Sequence, residues 1–305
     1  MSGPACRPAL PRLECSADGL VVHAPAKINL DLLVGPLRAD GYHPLDSIVA
    51  QVSLYDTLTL RSREDGEVTF TSTGIECGPD GDNLALRAAR RIAKGRDVPG
   101  VDILLDKVIP PGGGLGGGSS DAAAVLVGCD RLWELGLGED ELMAMAAELG
   151  SDVPLFLGPP TSRMSGRGEL VVSADVFPAK VLLILPPAHC ATGAVYAAYD
   201  ADEPGEITAR PVDQRYCRPP SRWRDGLAND LASAARGVSG TLAAWWDHLA
   251  AVLPVRVQLT GSGSGLFCLC DDEAELAACW DALDREQRSR AVRVEMIAPE
   301  VGLGR

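Results

Sequence analysis

Apolar residues follow two rhythms along the first half of the chain. From Leu20 the stretch LVVHAPAKINLDLLVG is apolar and rich in β-branched residues, and it predicts strand interrupted at Pro25. SIVAQVSLYDTLTLRS alternates in places, and EVTFTST follows the turn Glu64-Asp65-Gly66, so both predict strands. DNLALRAARRIAKG has apolar residues at helical spacing, an Asp at a plausible cap and Gly95 as a stop. GVDILLDKVIP reads as a short strand ended by Pro110 and Pro111. After a run of glycines, DAAAVLVGCDRLWEL predicts a helix capped by Ser119 or Ser120 and ending toward Gly136. GEDELMAMAAELG predicts a second helix, closed by Gly150.

FLGPPTSRMSGRGE is dense in turn formers and marks a candidate boundary. Beyond it LVVSA and KVLLILPP predict strands, whereas YDADEPGEITARPVDQRYCRPPSRWRDG is polar, proline-rich and expected to be irregular. GTLAAWWDHLAAVL predicts a helix, VRVQLTG and GLFCLC a hairpin-like pair, EAELAACWDALD a helix and AVRVEMIAP a last strand. The pattern is α+β, with an N-terminal unit over 20–160 and a C-terminal unit over 161–305. Residues 1–19 carry arginines and prolines without a continuous apolar core, which predicts a poorly ordered tail rather than a signal peptide. No internal repeat of solenoid period is visible.

Composition narrows the possible partners. The chain has 305 residues, 46% of them hydrophobic and 23% charged, which suits a folded globular protein. A formal charge of -14 argues against nucleic acid as the main partner, and it means that a polyphosphate ligand must be held by local donors. No segment has the ~18 consecutive apolar residues of a membrane span, so no membrane partner is expected. The nine cysteines are odd in number and scattered, without a C-x-x-C pair. That pattern reads as reduced thiols in the cytoplasm rather than as a zinc site.

The glycine run VIPPGGGLGGGSSDAAAVLVG admits three readings. A flexible linker does not usually pass from a proline-stopped strand straight into an alanine-rich helix. A dinucleotide turn has the letters, since Gly112, Gly114 and Gly117 satisfy G-x-G-x-x-G. The acidic strand end expected about 20 residues later falls instead between two helices. A phosphate cradle has the clearest mechanism: glycines turn successive N–H groups inward, and the following helix adds its free N–H groups and dipole. No G-K-[ST] closes the run, so a cation has to come from elsewhere in the chain.

Two charges stand in apolar surroundings, Lys27 in APAKINLDLL and Asp152 in LGSDVPLFL. An isolated charge there is unfavourable unless paired or functional. Paired, Asp152 would draw a proton from a substrate hydroxyl while Lys27 orients it and stabilises negative charge. Tyr42 and His43, beside a flexible Asp-Gly, could pack simply or could stack on an aromatic base. LTGSGSGLF, with Gly261, Gly263 and Gly265, is either a tight hairpin or a second loop bringing N–H groups to a phosphate-bearing group.

PAKINLDLLVGPLRADGYHPLDSIV, PPGGGLGGGSSDAAAVL with LGSDVPLF, and LTGSGSGLF together resemble the GHMP kinase superfamily. Within it, P-A-K-I-N-L followed by R-x-D-G-Y-H resembles the branch of 4-diphosphocytidyl-2-C-methyl-D-erythritol kinases. The resemblance implies a two-domain α+β GHMP kinase fold with the active site in the cleft between domains. It implies phosphorylation, by ATP, of the 2-hydroxyl of that small cytidylated substrate, in the non-mevalonate route to isoprenoid precursors. Lys27 and Asp152 then match the catalytic pair. Pro111, Gly112, Gly113, Gly114, Leu115, Gly116, Gly117, Gly118, Ser119 and Ser120 match the ATP phosphate loop, with Asn83 and Lys107 near the nucleotide. Asn29, Tyr42, His43, Asp152, Thr192, Tyr196, Gly261 and Gly263 match the substrate side. Mg²⁺ is expected to come with ATP, near Ser119 or Ser120, rather than in a dedicated protein site, and self-association to be a weak homodimer at most. Two segments depart from the branch: Pro159-Pro160 and the Arg/Pro-rich stretch over 205–225.

Overall fold

The computed structural model describes residues 12–16, 19–76, 83–202, 205–207 and 214–298. In chain order its strands and helices are β1 (Arg12–Ser16), β2 (Gly19–Val34), β3 (Leu45–Arg63), β4 (Val68–Gly74), α1 (Leu84–Ala93), β5 (Gly100–Lys107), α2 (Gly117–Leu132) and α3 (Glu139–Leu149). Then come β6 (Thr161–Gly166), β7 (Leu170–Ser173), β8 (Lys180–Ile184), α4 (Thr192–Asp200), α5 (Ala232–Val238) and α6 (Gly240–Val252). The chain closes with β9 (Gln258–Leu259), β10 (Leu266–Cys270), α7 (Glu273–Ala282), α8 (Arg285–Ser289) and β11 (Ala291–Glu295).

Two sheets organise these elements. The first runs β1-β2-β3-β5-β4, and β6 adds to β3 and carries β7 at its edge. Strands β4 and β5 pair in parallel, joined by the crossover helix α1. The second sheet is antiparallel, in the order β11-β8-β10-β9. Its period-2 alternation sorts the core. Leu182, Ile184, Leu266 and Cys268 face a cluster that includes Val195, Leu242, Leu249 and Leu276 on the covering helices. Val181, Leu183, Phe267 and Leu269 face the opposite way, against Ala26, Ile28 and Ile48 of the first sheet.

Strand β2 passes through all three apolar clusters. Val22 and Ala24 pack under α2, Ile28 and Leu30 lie between the sheets, and Leu32 and Val34 reach the helices of the second sheet. It runs unbroken through Pro25, because a register shift between Pro25 and Ala26 absorbs the residue that cannot donate to the ladder. A second shift, between Asn29 and Asp31, falls among the polar residues of the strand.

Several expectations are corrected. Part of the expected tail is ordered: 12–16 pair antiparallel with β2, and Leu13 packs against the first core. The first sheet continues past residue 160, because β6 pairs with Leu45–Ala50 and Arg163 forms a two-pronged bond to Asp46 at 2.7 and 2.6 Å. Helix α1 is capped by Asn83, whose Oδ1 accepts from Ala85 and Leu86. The Asp expected there, Asp82, lies outside the described residues, as do 1–11 of the tail. Helix α2 is capped by left-handed Gly116 rather than by Ser119 or Ser120, which sit inside its first turns. Of the Arg/Pro-rich stretch, 205–207 and 214–225 are described, with Tyr216 and Trp223 buried in edge contact at 5.0 Å.

Candidate active site

A cavity of about 410 Å³ opens where the two sheets meet the glycine run. Its walls include Lys27 and Asn29 from β2, the loop from Pro110 to Ser119 apart from Gly113, Asp152, Thr192 and Tyr196 from α4, and Gly261 with Ser262. These stretches, distant in sequence, converge because the glycine run is tied both to β2, through Lys27 N–H and Leu115 O, and to the 260–265 loop, through Ser264 and Gly265 N–H.

The glycine run is shaped by its backbone. Gly112, Gly114 and Gly116 have φ of +73°, +71° and +69°, so every second residue is left-handed. A Cβ on Gly116 would come within 2.8 Å of Phe156 and 3.1 Å of Lys27. Helix α2 then starts with no side-chain cap and no acidic residue in its first turn. The first bond across that turn runs from Ser120 N–H to Gly116 O, which leaves the preceding N–H groups directed out of the helix end. Such an arrangement fits an anion and suits the phosphates of a nucleotide.

Lys27 is buried, with Nζ donating to Asn29 Oδ1 at 2.6 Å and standing 3.9 Å from Asp152 Oδ2. Burial pulls its pKa below the ordinary lysine value, and Asp152 offsets that only in part. Asn29 Nδ2 donates to Ser47 Oγ at 2.8 Å, and Ser47 donates onward to Asp31 O at 2.6 Å. The Lys27 N–H donates to Leu115 O at 2.9 Å, tying β2 to the glycine run. Asp152, at the turn after α3, has a side chain 38% exposed, so one partner is dry and the other open to the cavity.

The two serines part company. Ser119 lines the cavity, whereas Ser120 is buried and its Oγ has no hydrogen-bond partner among the described residues. Lys107 does not line the cavity either. It lies beneath the start of α2, with Nζ at 2.5 Å from Asp56 Oδ2 and 2.6 Å from Asp121 Oδ2. Burial opposes its charge, but the two carboxylates outweigh that and hold its pKa above the ordinary value. Burial pushes Asp121 up to about 7, against the pull of Lys107 and with Asp56 adding to the rise. Asn83 is likewise engaged as a helix cap rather than as a cavity wall.

Elsewhere on the cavity wall, Thr192 Oγ1 lies 3.1 Å from Ser262 Oγ. Tyr196 is pushed up to about 12, chiefly by burial and then by Asp152 and Tyr199. His43 packs its ring on Tyr196 at 4.9 Å, with Nδ1 2.9 Å from Gly35 O and Nε2 3.5 Å from Asp200. Tyr42 is exposed, with the Arg167 guanidinium 4.5 Å above its ring. Neither Tyr42 nor His43 is among the cavity walls.

The second glycine loop is engaged in part with the first and in part with the cavity. Its Ser264 and Gly265 N–H groups donate to Gly112 O at 3.3 Å and Gly113 O at 3.1 Å, so they join two loops rather than greet a ligand. Gly263, left-handed at +86°, shapes that turn behind the wall that Gly261 and Ser262 present. Residues that the sequence reading missed are Ser47, Ser262, Thr260 and Asn229, whose Nδ2 holds Leu259 O and Gly261 O at 2.9 Å each. Only the T-G-S-G-S-G pattern hinted at two of them.

Residues 83–158 match the GHMP kinases N-terminal domain. The chain is 36% identical over 295 residues to a 4-diphosphocytidyl-2-C-methyl-D-erythritol kinase of Salinispora arenicola, covering 92% of this chain and 94% of that one. The chain belongs to that kinase family. A crystal structure of 4-(cytidine 5'-diphospho)-2C-methyl-D-erythritol kinase superposes with a TM-score of 0.76 at 33% identity, covering 91% of this chain and 99% of the other. Mevalonate kinase of L. major, in complex with R-mevalonate, superposes with a TM-score of 0.62 at 14% identity, over 97% and 99% of the two chains, which is a likeness of fold. The protein is thus a small-molecule kinase of two-domain GHMP architecture. Among the described residues no helix is long and apolar enough to cross a membrane.

Proposed function

We propose that this kinase transfers the terminal phosphate of ATP to the 2-hydroxyl of 4-diphosphocytidyl-2-C-methyl-D-erythritol, in the non-mevalonate route to isoprenoid precursors. The observation that carries the reading is the pairing of buried Lys27 with open Asp152 at the cavity wall beside the start of α2, which no side chain caps. The phosphates of ATP lie along 111–119, held by backbone N–H groups that need no net positive charge on the protein. Ser119, the serine on the cavity wall, would be the side chain to meet Mg²⁺. Among the described residues no group of three or more His, Cys, Asp or Glu side chains is arranged to hold a metal ion. A magnesium ion brought in by ATP would neutralise phosphate charge.

Asp152 accepts the proton of the acceptor hydroxyl, and Lys27 turns that hydroxyl toward the phosphate and stabilises the charge that develops. Positioning supplies most of the rate and proton removal a smaller part. Asn29 and Thr192 line the side where the erythritol sits, with Gly261 as backbone wall and Gly263 shaping the turn behind it. The cytosine stacks at Tyr196, with His43 backing that ring and Tyr42 at the rim. Lys107 and Asn83 act from behind the nucleotide, one beneath α2 and the other at the start of α1. We infer that the division between the two units falls after β7, past residue 173 rather than at 160, since β6 and β7 belong to the N-terminal sheet. The protein would work in the cytoplasm, where ATP and the substrate are found, as a monomer or weak homodimer.

The direct test is a kinase assay with Mg-ATP and sugar-alcohol acceptors carrying or lacking the cytidine diphosphate. Phosphorylation of the cytidylated acceptor is expected. Equal turnover of the acceptor lacking cytidine would remove the substrate assignment.

A further inference from the structure

Thr260 sits where the two halves of the proposed reaction meet, behind the cavity walls rather than among them. Its Oγ1 accepts from the main-chain N–H of Asn29 at 3.0 Å and donates to Gly114 O at 3.2 Å. One partner belongs to the strand that carries Lys27, two residues away. The other belongs to the left-handed centre of the glycine run. Thr260 is fully buried, so no water substitutes for either bond.

The geometry makes that hydroxyl hard to replace. Asn29 stands at the register shift of β2, where the regular ladder is interrupted. Gly114 approaches the same residue from the other side, close enough that a Cβ on it would collide with the Thr260 carbonyl. The Thr260 N–H is spent on Gly265 O at 3.0 Å, which closes its own hairpin. A single side-chain oxygen therefore spans strand and loop, using one lone pair and its one proton.

We propose that Thr260 is a positioning residue: its hydroxyl sets the register of the Lys27–Asn29 segment against the phosphate loop, and with it the approach of acceptor to phosphate. This rests on the kinase reading above. A valine keeps the shape, loses both bonds and leaves the Asn29 N–H and Gly114 C=O to drift. A serine keeps both bonds. A displacement of about 1 Å at reacting atoms lowers rate by about 100-fold while leaving binding contacts largely in place.

The test compares Thr260→Val and Thr260→Ser with the wild type, using whichever acceptor the wild type phosphorylates. Failure of the cytidylated acceptor in the wild type therefore counts against the substrate assignment and not against Thr260. ATP-binding stoichiometry counts folded, competent molecules, so loss of folding is separated from loss of rate. Expected for Thr260→Val is a kcat per competent molecule at least tenfold lower, with KM for both substrates within about threefold. Thr260→Ser is expected within about threefold of wild type in kcat. An unchanged kcat per competent molecule in Thr260→Val, or a serine variant as slow as the valine, would overturn the proposal.

Discussion

Lys27 Nζ lies closer to Asn29 Oδ1, at 2.6 Å, than to Asp152 Oδ2, at 3.9 Å. The lysine is thus held in place by a neutral amide and only loosely by its carboxylate, which leaves cation and acid both free to meet one hydroxyl beside them. Burying that charge is unfavourable, and its lowered pKa records the penalty.

Lys27→Met should therefore lose turnover and gain stability. The folded pKa is depressed below 10.5, so the native state binds fewer protons than the unfolded one between those values. Wild-type stability rises through that window. The variant is expected to melt higher than wild type at neutral pH, with the gap closing as pH rises toward 10.5. Thermal unfolding across pH checks this; a lower melting temperature at neutral pH would contradict it.

Asp121 offers a pH dependence of opposite sign. Its folded pKa, about 7, is above the ordinary carboxylate value, so its contribution is fully present below about 3.8 and is lost as pH rises toward 7. Asp121→Asn should remove that loss and leave Lys107 paired with Asp56 alone. Urea unfolding at pH 5 and pH 8 should show the wild type losing more stability between the two than the variant does. Equal losses would contradict the assignment.

Two neighbouring glycines should behave differently. Gly114→Ala meets a left-handed φ, which costs about 1–2 kcal/mol, and adds a collision with Thr260 O. Gly113→Ala places its Cβ at ordinary distances, 3.5 Å from Leu115 and from Pro110 O. The first should weaken ATP binding and lower the melting temperature, and the second should change either little. Calorimetric ATP titration of both variants separates them.

The ordered Arg/Pro-rich stretch holds β2 from the far side. Tyr216 OH donates to Asp31 Oδ2 at 3.0 Å, and the Ala228 N–H donates to Asp31 Oδ1 at 3.0 Å. Tyr216→Phe should cost about 1–3 kcal/mol through a buried acceptor that loses a partner. Chemical denaturation reads that loss, and KM for ATP should not move.

What could be read in the chain, and what could not, divides along locality. Lys27, Asp152 and the glycine run announced themselves because each breaks its own neighbourhood: a charge in an apolar strand, a turn composition before a helix. The α+β class followed from periodicity alone. Ser119 and Ser120 were indistinguishable by letters, since only the phase of α2 turns one to the cavity and the other to the core. Lys107 could be read as a residue near the nucleotide, but not as the partner of Asp56 and Asp121, 51 and 14 residues away. Thr260 reaches Asn29 across 231 residues and Gly114 across 146, distances no local pattern encodes. The same holds for β1 and β6, whose short alternations gain meaning only from the strands they pair with.

The central claim is that Asp152 accepts the acceptor's proton while the glycine run holds ATP independently of it. The measurement is single-turnover phosphorylation of the cytidylated acceptor by Asp152→Asn, alongside its ATP affinity. The account expects turnover lower by at least about 100-fold with ATP affinity within about threefold of wild type. Turnover at the wild-type rate would contradict it.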